Sequence, residues 1–240
     1  MNKTIKTLLI GFALGFLLSF FSLGAYISAP CLTELYLFHI FPFWEPVPDY
    51  LNALPLLLLL VLLPVLLLGC DIKNDLSRTG VFVFTRQKNR AAWYSGFVLK
   101  ITTGAMLYSF GYVFGVALLP ALICGITPEI IRILLSAGLC LSALNALFVL
   151  ICNVFSVFLS SAISTCCACG ICLVFIALSF LTYNTRSIAY LLNPVSCGIC
   201  PWQRLPFILS IAVLVMWLSL AVLSGFCLIK RCDIIGEIGE

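Results

Sequence analysis

Between Arg132 and Arg186 the chain runs 53 residues without a charged side chain. A helix needs about 20 apolar residues to cross a hydrocarbon layer of about 30 Å, so this interval is too long for one crossing. It must fold back once, and its most polar point is Ser160-Ser161, followed by Ser164 and Thr165. A water-soluble core of this size would need charged faces around it. With 63% hydrophobic and 9% charged residues and a mean hydropathy of +1.20, the chain has few to supply them. The expectation is an all-α, polytopic integral membrane protein forming a single transmembrane domain over residues 1–240.

The charges that do occur set the expected topology. Asp71 to Lys100 holds eight of the 22, six of them basic (Lys73, Arg78, Arg86, Lys88, Arg90, Lys100) and two acidic (Asp71, Asp75). Short loops rich in Lys and Arg stay in the cytoplasm, which places this segment inside. Spans are then expected at about 7–28, 51–70, 101–124, 130–158, 162–183 and 207–229, with outer loops at 29–50 and 184–206 and a tight outer turn at Gly125 to Glu129. Six spans with both termini cytoplasmic put ten basic residues inside and three outside (Arg132, Arg186, Arg204). The competing reading of the N-terminus is a signal peptide cleaved near Ala29, but the apolar run is longer than a usual signal core. Gly11, Gly15 and Ser19 follow a small-xxx-small spacing that lets another helix approach closely.

The first outer loop, with Tyr36, Phe38, Phe41, Phe43 and Trp44 ahead of Pro46 and Pro48, reads as an interfacial segment. The second contains Asn193-Pro194 and fits a partly buried re-entrant or interfacial segment. Thirteen cysteines would suggest a disulfide framework in a small secreted domain, but Cys140, Cys152, Cys166, Cys167, Cys169 and Cys172 fall in apolar runs and act there as small hydrophobes. Cys197-Gly-Ile-Cys200 is open to a local disulfide or to no special role, with Cys31 on the same side. The single histidine, His39, has no second ligand nearby in sequence, so no metal site is expected.

Catalysis inside a membrane needs ionisable or nucleophilic groups in the spans, and the span interiors carry none. HExxH, GxSxG and paired acids are absent from the sequence, so an enzyme is not expected, and no cofactor is. The polar atoms present are uncharged. Ser142, Asn145, Asn153, Ser156 and Ser160 share an arc of about 80° on an ideal helix. Such a stripe makes interhelical hydrogen bonds or lines a translocation path. In the charged segment, Trp93, Phe97 and Ile101 recur every four residues behind Arg86, Lys88 and Arg90. That pattern reads as an amphipathic helix lying at the inner surface and then turning into the third span. Upstream, Asp75, Arg78, Gly80, Thr85 and Arg86 give a mixed-charge face suited to a soluble protein, whereas lipid anchoring would need only basic residues.

In architecture, and in the residues Asp75 to Gly80, Phe84-Thr85-Arg86, Arg90, Trp93 and Lys100 followed by Asn193-Pro194, the chain resembles the six-span permease subunits of bacterial ABC exporters of the type-2 membrane class. The small ones that serve peptide-antibiotic export or self-immunity are the most similar. The resemblance implies a coupling helix after the second span that docks in a cleft of the ATPase, with Asp75, Arg78, Arg86, Lys88, Arg90 and Trp93 as the coupling residues. It also implies a second permease subunit, identical or related, and a bacterial cytoplasmic-membrane location, with no nucleic acid involved. No GxxxxGK[ST] occurs in the sequence, so ATP hydrolysis is expected in a separate subunit. The apolar spans with neutral polar atoms suit a hydrophobic or amphipathic peptide or a lipid-like compound. A stand-alone membrane immunity or sensor protein is the alternative.

Overall fold

In the computed structural model, residues 3–21, 50–75, 90–182, 187–199 and 206–231 are described. Among them there is helix and no strand. The helices are α1 (Lys3–Phe21), α2 (Tyr50–Leu68), α3 (Arg90–Cys124), α4 (Pro128–Ser156), α5 (Ser161–Thr182), α6 (Ile188–Leu191), α7 (Pro194–Ile199) and α8 (Phe207–Arg231). Four of them, α3, α4, α5 and α8, are long and apolar enough to cross a membrane. The chain is a membrane-embedded helical protein.

α4 is the central helix: 83% of its most apolar stretch is buried inside the molecule, against 22% for α5 and 17% for α8. Its start is fixed locally. Gly125, at φ +80°, ends α3 in the left-handed region that glycine adopts without strain, and Thr127 caps α4 by accepting a hydrogen bond from the Ile130 amide at 3.4 Å. Pro128 sits in the first turn, where a missing N–H costs nothing, and Glu129 there suits the positive end of the helix dipole. The other end of α4 stops at Ser156. After a short turn, Ser160 leads into α5, its hydroxyl accepting from the Ile163 amide at 3.4 Å.

α1 and α3 run parallel and meet backbone to backbone. A Cβ added at Gly11 would run into the Tyr108 carbonyl oxygen, and one at Gly15 into that of Tyr112, each well inside 3.0 Å. Gly111 and Gly115 return the contact just as closely against the carbonyl oxygens of Leu8 and Phe12. Ser19 completes the row by donating to the Val116 carbonyl at 3.0 Å. The small-xxx-small row in the first helix therefore has a matching row in α3 as its partner.

α3 departs from expectation. It is one unbroken helix of 35 residues, about 52 Å long at 1.5 Å per residue, so no bend separates the Trp93 segment from the apolar stretch beyond Lys100. The physical reason is in the burial. Tyr94, Phe97 and Ile101 are buried inside the molecule, and Trp93 stacks on Phe97 at 5.9 Å and packs against the core. The apolar face that would have rested on a bilayer surface is used against the bundle instead.

Asn193-Pro194 builds a short helical insertion. Asn193 caps α7 by accepting from the Val195 amide at 2.9 Å and donates from Nδ2 to the Phe175 carbonyl of α5 at 2.7 Å. Pro194 takes the first helical position. The insertion is buried from Asn193 to Gly198. Ser196 bonds Ser179 of α5 at 2.8 Å, Trp217 of α8 donates to the Leu192 carbonyl at 2.8 Å, and Gly198 lies against Leu144, near the middle of α4. This segment re-enters the helical layer, one of the two expected alternatives. Cys197 donates to the Leu191 carbonyl at 3.4 Å. Cys31, His39 and Cys200 lie outside the described residues.

Candidate functional site

The charged segment begins at a helix break that follows α2. The helix ends at Leu68, Gly69 and Cys70 form a turn, and helix resumes over residues 71–75. A break of this kind frees backbone groups that lipid cannot satisfy, and each left unpaired costs several kcal/mol. Asn153 of α4 supplies the missing partners. Its Nδ2 donates to the Leu68 carbonyl at 2.7 Å and to the Val149 carbonyl at 2.9 Å, while its Oδ1 accepts from the Ile72 amide at 3.0 Å. One fully buried carboxamide thus spans the break from both sides.

The short helix beyond the break is tied to three further places. Asp71, nearly buried, pairs with Lys3 at the start of α1. Lys73 donates to the Leu159 carbonyl, in the turn after α4, at 3.0 Å. Asp75 meets Lys100 of α3 at 3.4 Å, with both side chains about half exposed. The Asp75–Lys100 pair contributes about 0–1 kcal/mol, as exposed pairs do. The value of these bonds is positional: residues 71–75 cannot shift without disturbing α1, α3 and α4 together.

Of the residues expected to couple to a partner, Asp75 and Arg90 stand on either side of the connection between α2 and α3, and Trp93 lies one turn into α3, half-buried. Arg78, Arg86 and Lys88 lie outside the described residues. The polar stripe of α4 divides by role. Asn145 donates to Ser109 Oγ of α3 at 2.9 Å, and that hydroxyl donates onward to the Ala105 carbonyl at 2.9 Å. Ser142 bonds back to Gly138 and Ser156 to Asn153, both within α4, and Ser160 leads into α5. Ser142, Asn145, Asn153 and Ser156 are all buried in the single chain, so a path along them requires the helices around α4 to part. Asn145 Oδ1 is buried without a hydrogen-bond partner, which leaves one acceptor free at mid-helix.

Sequence reasoning did not single out Asp71, which it counted only as one of the loop's charges, nor the break at Gly69-Cys70. A Gly directly after a run of leucines and ahead of the first charges was the available signal. No protein-family model, curated protein or solved structure matches this chain.

Proposed function

We propose that the chain is the membrane-spanning permease subunit of an ATP-driven exporter of the ABC type, with six spans, both termini in the cytoplasm of a bacterial cell, and no catalytic residues of its own. ATP hydrolysis belongs to a separate ATPase subunit, and a second permease subunit completes the path. The cargo class that suits apolar spans with neutral polar atoms is a hydrophobic or amphipathic peptide or a lipid-like compound. One observation carries the reading: the helical piece at 71–75, from which the charged connection departs, is bonded to α1, α3 and α4 at once. A partner pulling on that connection would load the whole helical layer.

Copurification tests it. The tagged chain, expressed with the genes beside its own, is expected to bring down an ATPase, and Arg86→Glu with Lys88→Glu is expected to reduce that yield at least tenfold. If no ATPase appears and the double variant keeps its cellular effect, the permease reading fails and the stand-alone immunity or sensor protein takes its place.

A further inference from the structure

A pair of thiols sits on the helix break, and the hydrogen bonds that bridge the break make no use of it. Cys70 is the second residue of the turn and is partly exposed; Cys152 immediately precedes Asn153 on α4 and is fully buried. Thr165 of α5 stands between them, with its Oγ1 4.0 Å from Cys70 Sγ and 3.8 Å from Cys152 Sγ. The backbone is as close as the side chains. A Cβ built on Gly69 would lie 2.7 Å from Cys152 Sγ and 3.2 Å from its Cβ. The Gly69-Cys70 turn therefore lies directly against Cys152 of α4, and Cys70 is the cysteine of that turn.

We propose that Cys70 and Cys152 form a modification site for small disulfides, closing to an intramolecular bond that fixes the break in α2 to α4. In the first step the Cys70 thiolate attacks one sulfur of glutathione disulfide; that S–S bond breaks, one glutathione thiolate leaves, and a mixed disulfide remains on Cys70. In the second, the buried Cys152 thiol gives up its proton as its sulfur attacks the Cys70 sulfur, and the second glutathione leaves and takes up that proton. The protein gives up two electrons and two protons, and both appear on two molecules of glutathione. The order follows from access: Cys70 can meet a soluble disulfide, whereas Cys152, with no exposed surface, reacts only with what Cys70 delivers. Closure turns a junction held by the hydrogen bonds of Asn153 into a covalent one, and residues 71–75 can then no longer move relative to α4.

The inference does not rest on the permease reading, because it concerns a covalent bond within this chain. The full chain in membrane vesicles is exposed to glutathione disulfide, its remaining thiols are blocked with N-ethylmaleimide, and the unreduced digest is analysed by mass spectrometry. The expected product is the Cys70 peptide joined to the Cys152 peptide, two hydrogens lighter than their sum and at least tenfold above the untreated sample. It is expected to vanish in Cys70→Ser and to persist in Cys169→Ser, the latter testing whether the thiol one helical turn beyond Thr165 in α5 is the true partner. Cys70 found free, stopped as the glutathione adduct, or bridged to Cys169 would overturn the proposal, and none of these outcomes depends on transport or on a Cys152 variant folding.

Discussion

Asn153 of α4 reaches both the freed Leu68 carbonyl at the end of α2 and the freed Ile72 amide beyond the break. Replacing it with Leu keeps the branching at Cγ and removes every bond, leaving the Leu68 carbonyl and the Ile72 amide buried without partners. An unsatisfied buried group costs about 1–3 kcal/mol, while interhelical bonds in membranes average about 0.6 kcal/mol. The expected loss for Asn153→Leu is therefore about 1–3 kcal/mol in all, read as a lower unfolding midpoint in detergent titrations. Ser156→Ala, which removes only a bond within α4, is expected to fall well below that. A second residue-level test lies where α8 crosses α3. A Cβ on Gly225 would collide with the Tyr94 hydroxyl, and that hydroxyl is buried without a partner. Gly225→Ala should cost about 1–3 kcal/mol, the usual range for overpacking, and adding Tyr94→Phe should recover part of it, the Tyr94 ring and Val154 at 2.9 Å remaining close, whereas Tyr94→Phe alone should be neutral or stabilising. Thermal unfolding of the two single variants and the double variant decides this. Asn153 was legible in the sequence as a polar position on an apolar helix. Its task was not, because its partners are backbone atoms 81 and 85 positions away in the chain, whose exposure depends on where another helix breaks.

Helix pairs show the same division between what spacing reveals and what it conceals. Gly11, Gly15 and Ser19 announce a face built for close approach, and Gly111 and Gly115 carry the same four-residue step. Which two helices meet is decided by the depth at which each row lies, and that needs the fold. The contact is between backbones, so rotamer changes cannot relieve an added side chain. Gly15→Leu is expected to separate α1 from α3 and to lower stability by more than about 3 kcal/mol, beyond what ordinary overpacking at a yielding side chain costs. Gly170, in α5, has open space for 4 Å around the point a methyl group would occupy, and Gly170→Ala is expected to be neutral or slightly stabilising, since Ala is the better helix former. Chemical denaturation of the pair separates a packing glycine from an idle one. The all-helical class was readable from hydropathy, and Asn193-Pro194 could be read as part of a partly buried re-entrant or interfacial segment. The unbroken α3 could not. Trp93, Phe97 and Ile101 repeat every four residues whether the helix rests on lipid or on protein, and only the burial of Tyr94 and Phe97 decides between them.

For the molecule as a whole, directions of travel constrain sidedness more tightly than charge counts do. α1 and α3 are parallel, with Gly11, Gly15 and Ser19 meeting Tyr108, Tyr112 and Val116 in ascending order, so the chain must cross back between them. Lys3, Asp71, Lys100 and the turn after α4 gather at one end of the bundle, and the Gly125 turn lies at the other. One measurement of side at any of these points therefore fixes the rest. A phosphatase reporter active only outside the cytoplasm is expected to be active when inserted at the Gly125 turn and inactive within 76–89, within the turn at 157–160 or after residue 231. If the pattern came out inverted, the helix directions would stand unchanged, because they follow from the packing. The coupling proposal would not survive, because Arg78, Arg86 and Lys88 would then face away from the compartment that holds ATP and any ATPase that consumes it.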